Sequence, residues 1–134
     1  MIEYRIEKPS LCGYRALYEC TGWVIPLPPD TVLSRALDNT WHCVTAFDNG
    51  KAVGVGRLIS DEALYALLAD LIVLPEYRHQ GVGTAMLRIL KDAALAAGLR
   101  RLWLIAAPGK VDFYARNGFS VRPESAPGMQ MNDL

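Results

Sequence analysis

The stretch that decides the fold runs from Asp70 to Thr84 and reads DLIVLPEYRHQGVGT. An apolar segment ends at Pro75, a polar turn follows, and two glycines open a segment with helical periodicity. The first amides of a helix have no intrahelical partner and carry a partial positive charge. Because Gly81 and Gly83 have no Cβ, a ligand can approach the backbone closely there. This strand–turn–helix pattern predicts a receptor for a phosphate or pyrophosphate group.

Three kinds of phosphate-binding loop fit such a pattern in outline. A Walker A loop requires Lys and then Ser or Thr after its last glycine, whereas Thr84 and Ala85 follow Gly83. A dinucleotide-binding fingerprint requires a third glycine where Met86 stands. The third pattern is Arg/Gln-x-x-Gly-x-Gly/Ala, and residues 78–83 (RHQGVG) match it at every specified position.

At these residues the chain resembles the GCN5-related N-acetyltransferase (GNAT) family. The central motif of that family is an apolar strand, then Pro-x-Tyr-Arg-x-x-Gly-x-Gly, then a helix, and this chain supplies each element in register from Pro75 onward. A second segment, FYARNGF at residues 113–119, is similar to the family's Phe-Tyr-x-x-x-Gly-Phe motif. The resemblance covers most of the chain from Trp41 onward, whereas the residues before it resemble the family only in outline.

The resemblance implies an α/β (α+β) fold of GNAT type. Such a fold has a mixed, mostly antiparallel central sheet with splayed central strands and helices on both faces. The implied activity is transfer of an acetyl group from acetyl-CoA to a primary amine, by direct attack in a ternary complex. Acetyl-CoA is then the co-substrate, and no metal is implied. An acyl-CoA-binding sensor or regulatory module without turnover is the alternative, and a nucleotide-binding domain is a third hypothesis.

The resemblance also assigns the residues that would bind CoA. Backbone amides of the loop would hold the pyrophosphate, and the exposed backbone of the preceding strand would pair with the pantetheine arm like an added β-strand. The loop residues are Arg78, His79, Gln80, Gly81, Val82, Gly83 and Thr84, and the strand residues are Leu71, Ile72 and Val73.

Tyr114, in the second motif, is the implied general acid. When an amine attacks the thioester, CoA leaves as a thiolate, and a thiol with a pKa of about 8.5 is not a poor leaving group. A proton donor therefore helps the reaction without being indispensable. The alternative for Tyr114 is a half-buried aromatic residue that supports its helix.

A general base, or a water chain leading to one, is expected because the acceptor amine must be neutral and alkylamines have a pKa of about 10.4. The candidates are Asp70, Asp61, Glu19 and His42. Asp70 is the main one, because an acidic residue inside an apolar strand is costly unless it is partnered. Its alternative role is that of a strand-bulge or edge residue bonded to neighbouring amides. His79 is predicted to be an exposed loop residue rather than a base.

The acceptor site is less well defined. Tyr18, Trp23 and Trp41 either line an acceptor pocket or pack in the core, and core packing is the more common fate of such aromatics. The acceptor is expected to be a small-molecule or peptide amine. Members of the family often pair, so the resemblance leaves a homodimer open.

The bulk properties predict one soluble domain that spans residues 1–134. Formal net charge is zero, from 14 basic and 14 acidic residues, which argues against nucleic-acid and anionic-membrane partners. The longest apolar stretch, from Ala63 to Leu74, is too short to span a bilayer. The charged N-terminus is no signal peptide, so the predicted location is the cytoplasm.

The three cysteines are predicted to be buried thiols in a reducing compartment, because their number is odd and their spacing fits no zinc motif. They are Cys12, Cys20 and Cys43.

Hydrophobic periodicity and turn residues predict the secondary structure. The predicted strands are Ile2–Ile6, Trp41–Phe47, Lys51–Ile59, a central strand at Ala63–Leu74, a buried strand at Leu102–Ala106 and short strands at Phe119–Val121 and Met129–Met131. The predicted helices are one capped by Ser10, then Asp30–Leu37, Gly83–Ala97 and Val111–Asn117. The Asp48-Asn49-Gly50 turn predicts a hairpin, and Gly54 and Gly56 predict a bulge or a close neighbour.

Overall fold

The computed structural model describes residues 1–133 and contains five strands, four α-helices and one 3-10 turn. In chain order these are β1 (Ile2–Arg5), α1 (Leu11–Glu19), α2 (Asp30–Asp38), β2 (His42–Asp48), β3 (Lys51–Ser60), β4 (Tyr65–Val73), the 3-10 turn (Pro75–Tyr77), α3 (Val82–Ala96), β5 (Arg101–Leu104) and α4 (Val111–Arg116). The chain forms two compact units. The first, Met1–Leu104, holds every strand and α1 to α3, and the second begins at Ile105 and holds α4.

The first unit is built on a five-stranded sheet in the order β1-β2-β3-β4-β5. Neighbouring strands from β1 to β4 pair antiparallel, and β4 pairs parallel with β5. Asn49 (φ 49°) and Gly50 (φ 81°) both have positive φ in the β2–β3 turn, as the tight hairpin turn requires. The hairpin and the mixed, mostly antiparallel sheet are therefore confirmed.

Helices cover both faces of this sheet. A Cβ placed on Gly56 would lie 2.7 Å from Leu90 of α3, and one on Gly54 would lie 3.0 Å from Met86. These glycines thus allow α3 to approach β3 closely, which is the close neighbour predicted for them. Arg57, the next residue, lies over the ring of Tyr14 in α1, with its guanidinium carbon 5.4 Å from the ring centroid. Since adjacent strand residues point to opposite faces, α1 and α3 pack on opposite sides.

The helix that carries Tyr14 begins as the sequence predicts. Ser10 adopts an extended conformation and its side chain accepts a hydrogen bond from the Gly13 amide at 3.0 Å, which satisfies one of the unpaired amides at the helix start. The helix then buries Tyr14 and Leu17 against the sheet. Residue spacing thus fixes which face of α1 is buried, and with it the position of the Tyr14 hydroxyl.

Strands β4 and β5 part before β4 ends. Their paired residues run from Tyr65↔Arg101 to Leu68↔Leu104, and β4 continues to Val73. Among residues 1–133, no strand pairs with that side of β4 beyond Leu68. This opening agrees with the splayed central strands that the family resemblance implies.

Two predictions about strands are wrong. The strand predicted as buried at Leu102–Ala106 forms at Arg101–Leu104 but is only partly covered, because β5 is the last strand of the sheet and the Trp103 ring, 41% exposed, stacks on Tyr65 at the sheet surface. The short strands predicted at Phe119–Val121 and Met129–Met131 are absent from the part of the chain described. These segments are short and flanked by prolines, which supply no amide to a ladder.

The prediction of three buried thiols holds for one of them. Cys43 is buried in β2, whereas Cys20 is partly exposed and Cys12 is exposed on the outer face of α1. Cys12 lies two positions before Tyr14 on an amphipathic helix, so the two side chains point in different directions.

The helices formed by residues 1–133 are all too short or too polar to cross a membrane.

Candidate functional site

The loop between β4 and α3 has the geometry of an anion receptor. Gly81 is the N-cap of α3 in a left-handed conformation (φ 83°), and no side chain caps the helix within the described chain. A Cβ built on Gly81 would meet no atom within 4 Å, so the space in front of the helix N-terminus is open. Gly81 is exposed, and the first amides of the helix, at Val82, Gly83 and Thr84, have no intrahelical partner and lie at the positive end of the helix dipole. This donor set fits a pyrophosphate group.

The loop is ordered by bonds from its own side chains. Arg78 Nε donates to the Val73 carbonyl at 3.0 Å, and Gln80 Nε2 donates to the Glu76 carbonyl at 3.2 Å. His79 is exposed and has a positive φ of 61°, which is uncommon for a residue other than glycine. The loop is thus held in a conformation that an unconstrained chain would rarely adopt.

The strand segment that precedes the loop has one free side. Leu71, Ile72 and Val73 pair with β3 on one edge, opposite Gly56, Val55 and Gly54. Their other edge lies beyond the last residue pair of β4 and β5. Backbone groups of an open strand edge can pair with an extended ligand. Their side chains, by contrast, are buried or partly buried in the core.

Asp70 lies just before this segment and forms a buried ion pair. Its side chain is 4% exposed and its Oδ2 accepts a hydrogen bond from Arg57 Nε at 2.5 Å, with the Arg57 side chain 7% exposed. The same oxygen accepts a hydrogen bond from the Tyr14 hydroxyl at 2.6 Å. Burial, and then the carboxylate of Asp70, raise the pKa of Tyr14, so the phenol stays neutral and donates.

Arg57 extends these contacts to α2. Its Nη1 donates to the Ala36 carbonyl at 3.1 Å and to the Thr40 hydroxyl at 2.8 Å. We call Tyr14, Thr40, Arg57 and Asp70 the Arg57–Asp70 cluster. It joins α1, the end of α2, β3 and β4 in one hydrogen-bonded group. These contacts partner Asp70, but through the side chains of Arg57 and Tyr14 and not through the neighbouring amides that were predicted, whereas its role as a catalytic base stays a prediction.

The other candidate bases differ in their surroundings. Asp61 Oδ1 accepts the amides of Ala63, Leu64 and Tyr65 at 2.8–3.0 Å, and these bonds, the one from Tyr65 first, lower the pKa of Asp61. It therefore closes the β3–β4 turn. Burial lowers the pKa of His42, which favours the neutral ring at physiological pH. Glu19 is exposed at the end of α1.

Of the three aromatic residues considered for an acceptor pocket, two come together. The rings of Tyr18 and Trp23 meet edge to face at 6.1 Å, and Trp23 is 45% exposed. Tyr18 also contacts Tyr14 of the Arg57–Asp70 cluster at 5.8 Å. Trp41 instead packs against His42, with ring centroids 5.6 Å apart.

Tyr114 lies in the second unit, on α4, and is partly buried. Its ring makes edge-to-face contacts with Phe113 at 5.1 Å and Phe119 at 5.8 Å, and its carbonyl accepts the Phe119 amide at 3.1 Å. Burial raises the pKa of Tyr114, so its hydroxyl carries a proton throughout the physiological pH range. These contacts order the hydroxyl-bearing ring within its own unit.

Among residues 1–133, no group of three or more His, Cys, Asp and Glu side chains is placed to hold a metal ion.

Sequence reasoning missed the partners of Asp70. Arg57 sits in an otherwise apolar strand, as Asp70 does, and the two strands are neighbours in the sequence. Two opposite charges in adjacent apolar strands predict a buried ion pair, and this pattern could have identified Arg57 as the partner of Asp70. No sequence signal identified the Tyr14 hydroxyl as a partner of Asp70, because the spacing of Tyr14 along its helix predicts only that its side chain lies in the core.

A family model described as the acetyltransferase (GNAT) family matches residues 13–119, and the chain belongs to this family. The GCN5-related N-acetyltransferase 2, chloroplastic, of Arabidopsis thaliana is 39% identical over 79 residues, which cover 59% of this chain and 31% of that protein. The histone acetyltransferase TAP1 of Glycine max is 30% identical over 126 residues, which cover 86% of this chain and 54% of that protein. The chain thus spans between about a third and about half of the length of these two relatives.

Solved structures agree with the fold. A protein of unknown function from meticillin-resistant Staphylococcus aureus, described as a probable acetyltransferase, superposes with a TM-score of 0.87 at 22% identity. The match covers 98% of this chain and 99% of that chain. The predicted fold class and family are therefore confirmed.

We predict that Asp70→Asn lowers the free energy of unfolding by about 3–5 kcal/mol, because Arg57 would be left buried without a charged partner. Urea unfolding measures this loss. The exposed Asp92→Asn is the matched control, with an expected change within about 0.5 kcal/mol. In the double variant Arg57→Gln/Asp70→Asn the losses should be less than additive. A loss below about 1 kcal/mol for Asp70→Asn, with a large fall in turnover, would instead identify a catalytic base.

Proposed function

We propose that the protein transfers an acetyl group from acetyl-CoA to a primary amine. The observation that carries this proposal is the N-terminus of α3, which no side chain caps and which begins directly after the exposed Gly81. It follows closely after β4, whose last residues have a free edge. Membership of the acetyltransferase (GNAT) family supports it. The loop Arg78–Thr84 would bind the pyrophosphate through its amides, and the backbone of Leu71–Val73 would pair with the pantetheine arm.

The proposed reaction is direct attack in a ternary complex. The amine nitrogen forms a bond to the acetyl carbon, the carbon–sulfur bond breaks, and the CoA sulfur leaves with the electron pair. The amine loses one proton and the sulfur gains one. Most of the rate enhancement would come from positioning the two substrates and from backbone donors that polarise the thioester carbonyl.

Tyr114 is the proposed proton donor to the sulfur. This role rests on the FYARNGF motif and is supported by the raised pKa of Tyr114, which keeps the phenol protonated. Because a thiolate is a weaker base than a tyrosinate, full transfer is uphill, and the hydroxyl contributes mainly through a hydrogen bond to the departing sulfur. For Asp70, its contacts support a structural role in the Arg57–Asp70 cluster, so the amine would lose its proton to water or to a group outside that cluster.

Several finer features stay proposals. The family model spans residues of both compact units, which supports a single domain over residues 1–134. The acceptor is proposed to be a small-molecule or peptide amine, and the name of the soybean relative, a histone acetyltransferase, favours the peptide class. A cytoplasmic location and a homodimer remain predictions.

Amine-dependent release of the CoA thiol tests the function. The screen would pair acetyl-CoA with polyamines, aminoglycosides, aromatic amines, amino acids and lysine-containing peptides. We expect at least one class to release thiol well above the rate with acetyl-CoA alone. Tight CoA binding with no amine-dependent release of thiol in any class would favour the alternative hypothesis of an acyl-CoA-binding sensor without turnover. Thermal protection by ATP or NAD, and none by CoA, would favour the nucleotide-binding domain.

We predict that Gly83→Asp raises the Kd for CoA at least about tenfold, because a carboxylate close to the pyrophosphate repels it. The same carboxylate near a helix N-terminus favours the helix by about 0.3–1 kcal/mol, so folding stability should stay equal or rise. Calorimetry with CoA and thermal unfolding measure the two effects.

The matched control is Ala96→Asp, which adds the same charge on an exposed residue of α3. Residue 96 lies about 20 Å along the helix axis from residue 83, beyond the screening length at physiological salt, so CoA affinity should be unchanged. Equal affinities for Gly83→Asp and wild type would refute the loop assignment.

We predict that Tyr114→Phe lowers kcat by roughly ten- to a hundredfold and leaves the Kd for CoA within about twofold, because it removes the hydrogen bond to the departing sulfur and keeps the ring. Steady-state kinetics with the best acceptor from the screen measures this. Tyr65→Phe, at a half-exposed tyrosine of β4, should retain wild-type turnover. Full activity in Tyr114→Phe would show that Tyr114 is structural.

A further inference from the structure

We infer that Asp48 is a positioning residue for acetyl-CoA, which acts by holding Tyr77 and through it the loop that would bind the pyrophosphate. This inference rests on the proposed function. It assigns a role to the β2–β3 hairpin, which neither sequence motif includes.

The contact is a tertiary hydrogen bond next to the loop. The Tyr77 hydroxyl donates to Asp48 Oδ2 at 2.7 Å, across 29 positions of sequence. Tyr77 is the last residue of the 3-10 turn, and Arg78 is the first residue of the loop. The bond therefore fixes the N-terminal side of the loop to the end of β2.

The C-terminal side of the loop is fixed differently. Val82 and Met86 of α3 are fully buried, so the helix start is held by packing against the core. Between these two anchors the side chains of Arg78, His79 and Gln80 are exposed, and His79 has the uncommon positive φ of 61°. A short loop with a strained residue keeps its shape only when both of its ends are held. At the N-terminal end, the Arg78 bond to the Val73 carbonyl stays within the turn, whereas the Asp48–Tyr77 bond ties the turn to β2.

The sign of the charge supports positioning over direct electrostatic attraction. Asp48 is negative and lies beside a loop that would bind an anion, so its through-space effect on a phosphate is unfavourable. Lys51, the residue that pairs with Asp48 across the hairpin, also forms an ion pair with Glu76 at 3.9 Å, which brings the hairpin to the same turn. The carboxylate is useful there because a hydrogen bond to an ionised acceptor is stronger than one to a neutral acceptor.

This opposition of signs gives a direct test. Asp48→Ala removes a negative charge near the loop, so electrostatics alone predicts a lower Kd for CoA. Loss of positioning predicts a higher Kd, and we expect an increase of about fivefold. Tyr77→Phe, which leaves both the hairpin and the charge intact, should raise the Kd by a similar factor. The double variant should bind CoA about as well as either single variant, because both changes remove the same Tyr77–Asp48 hydrogen bond. Asp48→Ala also removes an ion pair with the Met1 ammonium at 3.6 Å, but that pair is exposed and contributes little.

Kinetics and rescue distinguish positioning from a general loss of structure. The pyrophosphate is remote from the reacting thioester, so both variants should raise the KM for acetyl-CoA and keep kcat within about twofold. Asp48→Asn retains an oxygen acceptor and should recover part of the affinity. Glu76→Gln removes a negative charge and an exposed ion pair from the same turn but keeps the Tyr77 bond; because an exposed pair contributes little, CoA affinity should not fall.

The results distinguish a failure of the proposed function from a failure of the positioning role. If wild-type protein fails to bind CoA in the calorimeter, the proposed function fails, and this inference fails with it. If wild-type protein binds CoA while Tyr77→Phe binds it equally well, the proposed function stands and the positioning role is wrong. Tighter binding by Asp48→Ala, or additive losses in the double variant, would also overturn the positioning role.

Discussion

The ion pair between Arg57 and Asp70 is the constraint on which the arrangement of the first unit depends. Removing two charges from water costs several kcal/mol per ion, so such a pair persists only with good geometry and further hydrogen bonds. The hydroxyls of Tyr14 and Thr40 and the Ala36 carbonyl supply those bonds. The helices α1 and α2 and the strands β3 and β4 must therefore be positioned so that these groups come within hydrogen-bond distance. The two helices that flank the segment containing Trp23, α1 and α2, are thereby both tied to the sheet.

The proposed donor site follows from how β4 ends. Its pairing with β5 stops at Leu68, so the last residues of the strand keep one free edge, and the chain then turns into the start of α3. The close approach of α3 to Gly54 and Gly56 seats this helix tightly on β3. A free strand edge and an uncapped helix start thus lie next to each other on rigid elements, and a ligand with an extended arm and a pyrophosphate could use both.

The sequence predicted the end of β4, the loop and the start of α3 well, and the rest of the protein less well. The loop motif, the hairpin turn and the Ser10 cap are local signals, in which neighbouring residues determine the backbone. The partners of Asp70 and the Asp48–Tyr77 bond join distant positions, and no short pattern encodes them. The exposure of Trp103 and the missing strands after Phe119 depend on what the rest of the chain covers, so periodicity alone misjudged them. Tyr114 was singled out by resemblance, and its role remains a proposal.

Amide hydrogen exchange with and without CoA tests the central claim most directly, because it reports on the backbone groups that are proposed to bind. We predict that saturating CoA slows exchange at residues 78–84 and at residues 71–73, and leaves the β1–β2 pair unchanged. An equal concentration of ATP or NAD should give much weaker protection. CoA binding with protection confined to other segments, or no protection at residues 78–84, would contradict the account.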